Sequence, residues 1–445
     1  MSTAPSSRPE EERPSQPKAG ASAASADSFD SKEASDVIAA IAVDPSASVP
    51  SISITCDHAI NYAFQQNAIP IVKELRVKNG SEARKNLIVR VSCEPAFAVA
   101  AEVHLQSLEA GGEYRVAPLD LKLRPDFLKT LNEKVSGLLR VDLCLASTNG
   151  EPPQVIHSVS EPVNLLARNE WCGLVSLPEI LAAFVLPNDP AVMPLLGRAS
   201  ELLRASTGRA DLNGYQDKNR SRAWEQAAAI YKAIAEQGIR YIVPPASFEN
   251  TGQKVRFPSD VIEQRFGTCL DLVLLFAACC EQSGLQPFVL MHQGHAYAGC
   301  WLEERTLPEP CIDDLQHIRK LAADSLITVF EMTLVTNERP GKLSDAEILA
   351  KPYLETQLPF RVALDIHSAR LSKIRPLPVP GQAASIEQET GTRLNVEVDA
   401  GIGSREFPET ITPGETKTTP ANRIDQWKAW LLDLSLRNRL LNFKP

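Results

Sequence analysis

The chain of 445 residues lacks several features that would place it quickly. It has no C-x-x-C pair, and its nine cysteines are odd in number and scattered. That argues against a structural disulfide framework and for a reducing compartment. No apolar stretch approaches 18 uninterrupted residues, and the opening MSTAPSSRPEEERPSQ has no apolar h-region, so a cytoplasmic protein without membrane contact is expected. Positive charge is not in excess. The 46 Lys and Arg residues against 55 Asp and Glu leave a net charge of −9, which disfavours sequence-independent nucleic-acid binding. Histidines do not cluster in the first half: His58, His104 and His157 sit on different segments. Neither a metal nor another cofactor is called for.

What is present is ordinary globular material, with 44% hydrophobic and 23% charged residues and length enough for two or three domains. Residues 1–48 are Ser, Ala, Pro, Glu and Asp with almost no aromatics, a composition that cannot offset its chain entropy by burial. A disordered arm is expected there, with a short helix near Ser35–Val43. From 49 to 168 the apolar period is 2. Ile69–Val77, Leu87–Cys93, Tyr114–Leu123, Leu138–Leu145 and Val155–Leu166 read as strands, with turns at Asn79-Gly80, Gly111-Gly112 and Asn149-Gly150. Leu139, Val141 and Leu143 alternate with Arg140, Asp142 and Cys144, as a half-buried antiparallel strand requires. The pattern predicts an immunoglobulin-like β-sandwich.

Residues 170–376 mix the two periods. Leu177–Phe184, Val192–Ser206 and Arg222–Glu236 carry helical spacing, while Phe288–Met291, His295–Leu302 and Leu326–Val335 are strand-like. Helices followed by strands indicate an α+β domain, so the expected fold class overall is α+β. A Pro-, Gly- and Thr-rich linker covers 377–420. The final segment, 421–445, places Ile424, Trp427, Leu431 and Leu434 on one helical face, which suggests either a helix that docks back on the body or the start of a truncated next domain. Arg437, Arg439 and Lys444 at its end read as a solvated face more readily than a nucleic-acid contact.

One constellation points at chemistry. Cys269 lies at the start of the apolar run Leu270 to Cys280, behind Thr268 as a candidate N-cap. A thiol in the first turn feels the positive end of the helix dipole, and the backbone amides there can hold an oxyanion. His295 follows 26 positions later on a strand whose one face is His295, Tyr297, Gly299 and Trp301. Glu331 follows 36 positions further on, where a carboxylate in an apolar run needs a cationic partner. Cys269 as nucleophile, His295 as acid and base, and Glu331 as orienting carboxylate form a catalytic set. Asp365 competes with Glu331 for the third role. His292 competes with His295; a continuous strand would turn it to the other face, but Gly294 interrupts the run. Asp271 reads as a cap, and Tyr297 and Trp301 as core or as cleft lining.

These residues resemble a known family. FGTCLDLVLLFAACCEQSG, GHAYAGCWL and ITVFEMTLVT are similar to the transglutaminase-like (papain-like) cysteine domain. That resemblance implies a helix-borne cysteine at Cys269, a strand-borne histidine at His295 and a third-strand carboxylate. Glu331 stands where Asp is usual, Met332 where Pro is common, and Thr333 is retained. IRYIVPPASFENTGQKVRFPSDVIEQRFGTCLDL looks like the transglutaminase-like module near the N-terminus of large bacterial helicase-like proteins. RIDQWKAWLLDLSLRNRLLNF looks like the opening of the domain of unknown function that follows it there. No G-x-x-x-x-G-K-[ST] occurs, so helicase activity is not carried by this chain. The resemblance implies a cysteine acyl-transfer module, a peptidase, amidase or transferase acting on protein amides. The alternative is a catalytically inactive fold that binds a protein partner and regulates a helicase. Either partner is a protein, with nucleic acid reached only through a downstream domain.

Overall fold

Period-two patterning builds two antiparallel sheets in the first folded region. A computed structural model describes residues 49–379, except 117, 118, 120, 148–150 and 356–358, together with 403, 405 and 407. The Ser35–Val43 helix, the Asn149-Gly150 turn, most of the linker and the Ile424–Leu434 helix with its basic end lie outside the described residues.

The smaller sheet orders Ser51–Cys56, Val72–Lys78 and Glu113–Val116. The larger orders Ala59–Ile60, Gln154–Leu165, Val135–Leu145, Arg84–Glu94 and Ala101–Leu108, antiparallel except for its first pair. Two of the expected turns meet in space. Asn79 N donates to Gly112 O at 2.8 Å and Gly111 N to Gly80 O at 2.7 Å, while Asn79 Nδ2 donates to the carbonyls of Glu82, Leu108 and Glu109. Leu139, Val141 and Leu143 are buried as the alternation predicts. Asp142 and Cys144 on the opposite face are buried too, because Val135–Leu145 is an interior strand; Asp142 is held there by Arg140 and Ser158. The strand expected over Tyr114–Leu123 ends at Val116.

The second region has a five-stranded antiparallel sheet in the order Cys311–Ile312, Phe360–Asp365, Pro287–His292, His295–Trp301 and Ile327–Phe330. The helix Cys269–Gln282 lies against its two middle strands. Every residue of that helix from Cys269 to Cys280 is buried, which is what its nearly continuous apolar composition dictates. Burying each of its Leu, Val and Phe side chains stabilises the fold by about 1.5–3 kcal/mol. Helices Val192–Thr207 and Arg220–Ala235 cover its outer side. The fold is mixed α+β, with a run of helices ahead of the main sheet.

A single buried cluster runs from the first region into the second, taking in Val89 and Leu143, Phe184, Leu274 and Ala298. A smaller cluster, with Phe288, Leu290, Tyr297 and Trp301, occupies the other face of the five-stranded sheet. Helices Leu315–Ala323 and Leu343–Glu355 lie over that side. Among the described residues no helix is long and apolar enough to cross a membrane.

Candidate active site

Thr268 caps the central helix, and the cap decides where Cys269 sits. Thr268 Oγ1 accepts from Asp271 N at 3.2 Å, and Asp271 Oδ2 accepts from Thr268 N at 2.9 Å, a reciprocal capping box. Arg256 adds a backbone donor to Asp271 at 2.9 Å and a guanidinium at 3.2 Å. Burial outweighs these contacts and raises the Asp271 carboxyl above its usual range. Asp271 is therefore the cap it was expected to be. Cys269 then falls at the first helical position, where the amides of the first turn have no intrahelical acceptor. Its side chain is buried, at 0% exposure.

His295 comes to Cys269 through a hairpin. Pro287–His292 and His295–Trp301 pair with His292 opposite His295, joined by Gln293-Gly294 with Gly294 at φ +73°. A side chain at that angle is strained, so the tight reversal favours glycine. The strand is interrupted at Gly294, as the sequence suggests, so the two histidines do not lie on one continuous strand with opposite facings. They are direct cross-strand partners, and such partners share a face.

Glu331 completes the set from the neighbouring strand. Ile327–Phe330 pairs with His295–Trp301 and ends five residues before the end of the strand-like run Leu326–Val335, because the chain turns at Glu331 into a 3-10 turn. Glu331 N-caps the 3-10 turn Met332–Thr336. Its Oε1 accepts from Thr333 N and Thr333 Oγ1, each at 2.8 Å, and its Oε2 lies 2.7 Å from His295 Nε2. With Nε2 bound to the carboxylate, Nδ1 is the ring nitrogen left for Cys269.

The electrostatics follow from these contacts. Burial disfavours the His295 imidazolium, but hydrogen bonding to Cys269 and to Glu331, with the charge of Glu331, pushes it up to about 10. Burial likewise works against the Glu331 carboxylate. The hydrogen bond and charge of His295, with Thr333, overcome this and hold it below its usual range. The pair is thus ionised together.

An aromatic shell surrounds the imidazole. The Tyr353 ring lies 5.0 Å from His295 and 5.2 Å from Tyr297, and Tyr297 is 6.4 Å from His295 at an interplanar angle of 9°. His292 packs on Tyr297, Tyr353 and Phe360. It is buried, and burial with the nearby His295 charge pushes it down to about 4. On the other side Tyr241 pairs with Gly267 and lies against Cys269; burial first, then Cys269, raises its phenol. Gln253 Nε2 donates to Thr268 Oγ1 at 3.2 Å, one residue before Cys269.

Asp365 is elsewhere. It pairs in register with Phe288, and Phe288 with Gly299, four residues along the strand from His295, or about 13 Å. Its Oδ2 accepts from Leu307 N, Trp301 Nε1 and Thr306 Oγ1, and its Oδ1 from Ser368 N. That accounts for its burial without a role beside His295.

Tyr353, Tyr241 and Gln253 were not singled out in the sequence. Tyr353 follows Pro352, which reads as a helix breaker yet sits inside Leu343–Glu355. Tyr241 and Gln253 lie in an irregular stretch whose folding no period announces. Among the described residues no group of His, Cys, Asp and Glu is arranged to hold a metal ion. No protein-family model, curated protein or solved structure matches the chain.

Proposed function

We propose that this chain carries a transglutaminase-like cysteine acyl-transfer site acting on protein amides, with Cys269 as nucleophile. The observation that carries the reading is the ordered set of Cys269 at a capped helix start, His295 beside it, and Glu331 2.7 Å from His295 Nε2. Cys269 Sγ, as thiolate, attacks the amide carbonyl carbon, and the oxyanion so formed faces first-turn amides including that of Cys269. The C–N bond then breaks as the His295 imidazolium gives its proton to the departing amine, leaving a thioester on Cys269. Water or a second amine attacks the thioester, His295 takes the proton, and the thiolate leaves. Glu331, anchored by Thr333, holds the imidazole in one tautomer and stabilises its charge. In this reading the N-terminal sheets form an immunoglobulin-like sandwich, and the module belongs to a cytoplasmic, helicase-associated protein.

The test is competitive alkylation with iodoacetamide at neutral pH, read residue by residue by mass spectrometry. Cys269 is expected to label at least ten times faster than any other cysteine, and His295→Ala to remove that advantage. Labelling of Cys269 at the rate of buried Cys279 and Cys280 would end the reading.

A second reading is favoured by one observation: Cys269 is 0% exposed beneath Tyr241, so the thiol does not face solvent. On this view the fold is a non-catalytic, protein-binding regulator of a helicase. Partner capture retained by Cys269→Ala and lost on disrupting the N-terminal sheets distinguishes it from catalysis.

A further inference from the structure

We infer that Tyr353 is a positioning residue for His295: its ring clamps the face of the imidazole and keeps Nδ1 on Cys269. The inference rests on the acyl-transfer reading of the site, and it begins from a gap in that site. Glu331 and Cys269 both meet His295 at the edge of its ring, and hydrogen bonds in the ring plane leave the ring free to rock about the line between them. A second restraint has to come from above or below the ring plane.

Tyr353 supplies it. The Tyr353 ring sits 5.0 Å from the imidazole at an interplanar angle of 30°. Tyr297, rooted two residues along the same strand as His295, stacks on Tyr353 at 5.2 Å and 25°. The His295 and Tyr297 rings are close to parallel, Tyr353 is tilted 30° and 25° to them, and Tyr297 backs Tyr353 from within the buried cluster. His292 closes the assembly, 6.0 Å from Tyr353 and 5.4 Å from Tyr297. Tyr353 therefore touches both histidines and the buried tyrosine between them.

The helix that carries Tyr353 is tied to Glu331 and to the strand Ile327–Phe330 that leads into it. Glu331 N donates to Ala346 O at 3.1 Å, and Thr328 Oγ1 and Trp224 Nε1 both donate to Glu347 Oε1. The ring that clamps His295 and the carboxylate that orients it are thus set by the same two elements. A tyrosine face also favours a cation, so the clamp stabilises the imidazolium as well as aiming it. The Tyr353 hydroxyl lies in reach of the Glu331 carboxylate, and burial with that charge raises the phenol to about 12, keeping Tyr353 neutral alongside.

The groups facing His295 are Glu331, the Cys269 thiol, neutral His292, Tyr297 and Tyr353, with Tyr241 beyond the thiol. Glu331 is the anion among them. Removing the Tyr353 ring leaves the His295–Glu331 pair in place but subtracts both the ring contact and the hydroxyl near Glu331; removing the hydroxyl alone, as in Tyr353→Phe, separates the two effects.

The experiment compares the full chain with Tyr353→Phe and Tyr353→Leu. Titration of 15N-labelled histidine by NMR reads the His295 midpoint, and the pH profile of Cys269 alkylation reads its alignment. Tyr353→Phe keeps the face and is expected to stay within about threefold of the parent rate, with an unchanged profile. Tyr353→Leu is expected to lower the His295 midpoint by about one pH unit and the alkylation rate by about tenfold. If Tyr353→Leu does not fold, Tyr353→Met fills a similar volume without an aromatic face and takes its place. An unchanged His295 midpoint and profile in the Leu or Met variant overturns the positioning role, as does a loss in Phe equal to that in Leu. Failure of the acyl-transfer reading shows differently: Cys269 then has no labelling advantage in the parent chain, and His295→Ala changes nothing.

Discussion

Glu331 divides its two oxygens between Thr333 and His295. Oε1 takes both donors of Thr333 at 2.8 Å, and Oε2 meets His295 Nε2 at 2.7 Å. The carboxylate is therefore fixed before it meets the imidazole. Replacing it with Gln keeps the shape and removes the charge, which is worth about 1.5–3 kcal/mol for a charge-assisted hydrogen bond. Glu331→Gln is expected to slow Cys269 alkylation at pH 7 by about 10- to 100-fold. Glu331→Asp, one methylene shorter, has to release either Thr333 or His295 and should fall between. A Gln variant that alkylates at the parent rate would show that the pair is structural only.

The same pair makes stability depend on pH at the alkaline end. The unfolded chain gives up the His295 proton near 6.5, while the folded chain keeps it up to about 10. The contribution is thus complete below about 6.5 and is lost as pH rises through 10. Urea unfolding at pH 6.5 and pH 10 should show the parent losing on the order of 2 kcal/mol more than His295→Ala. Equal losses in the two proteins would refute this assignment.

His292 acts in the opposite direction. Folded, it refuses a proton until about pH 4, whereas unfolded it takes one near 6.5. Stability contributed by the neutral ring is present above 6.5 and falls away as pH drops toward 4. His292→Phe fits the same aromatic box of Tyr297, Tyr353 and Phe360 without a titrating group. Its melting temperature is expected to exceed the parent's at pH 5 and to match it within a few degrees at pH 8. A parent and variant with the same acid slope would count against it.

Asp365 provides the contrast to Glu331. It is fully buried and satisfies Leu307 N, Trp301 Nε1 and Ser368 N at once. Asp365→Ala strands those donors and should cost about 3–5 kcal/mol of stability. The fraction that folds is expected to keep the rapid labelling of Cys269. Selective loss of labelling in a stable Asp365→Ala protein would return Asp365 to the site.

Much of the site was legible because its parts are local. Thr268 and Asp271 announce a helix start three residues apart, and an apolar run behind them has no alternative but burial. The alternation through His295, Tyr297, Gly299 and Trp301 correctly separates two faces: Tyr297 and Trp301 enter the smaller cluster, and Ala296, Ala298 and Cys300 the larger. Other parts were hidden. Ser51–Cys56 and Ala101–Leu108 alternate well but are interrupted by polar residues at exposed positions, and Leu343–Glu355 contains a proline.

By itself the sequence determined the α+β character, the capped helix that bears Cys269, and the order of thiol, imidazole and carboxylate. These depend on periods and caps that act over a few residues. Only the tertiary structure shows which of the two acids, Glu331 or Asp365, lies beside His295, since both are acids in or beside apolar strands. The choice is made by strand register, which sets Glu331 beside His295 and Asp365 at the far end of the sheet. It alone also brought Tyr353 onto His295, from 58 residues away, because ring stacking depends on how a helix seats on a sheet and leaves no periodic trace in the chain.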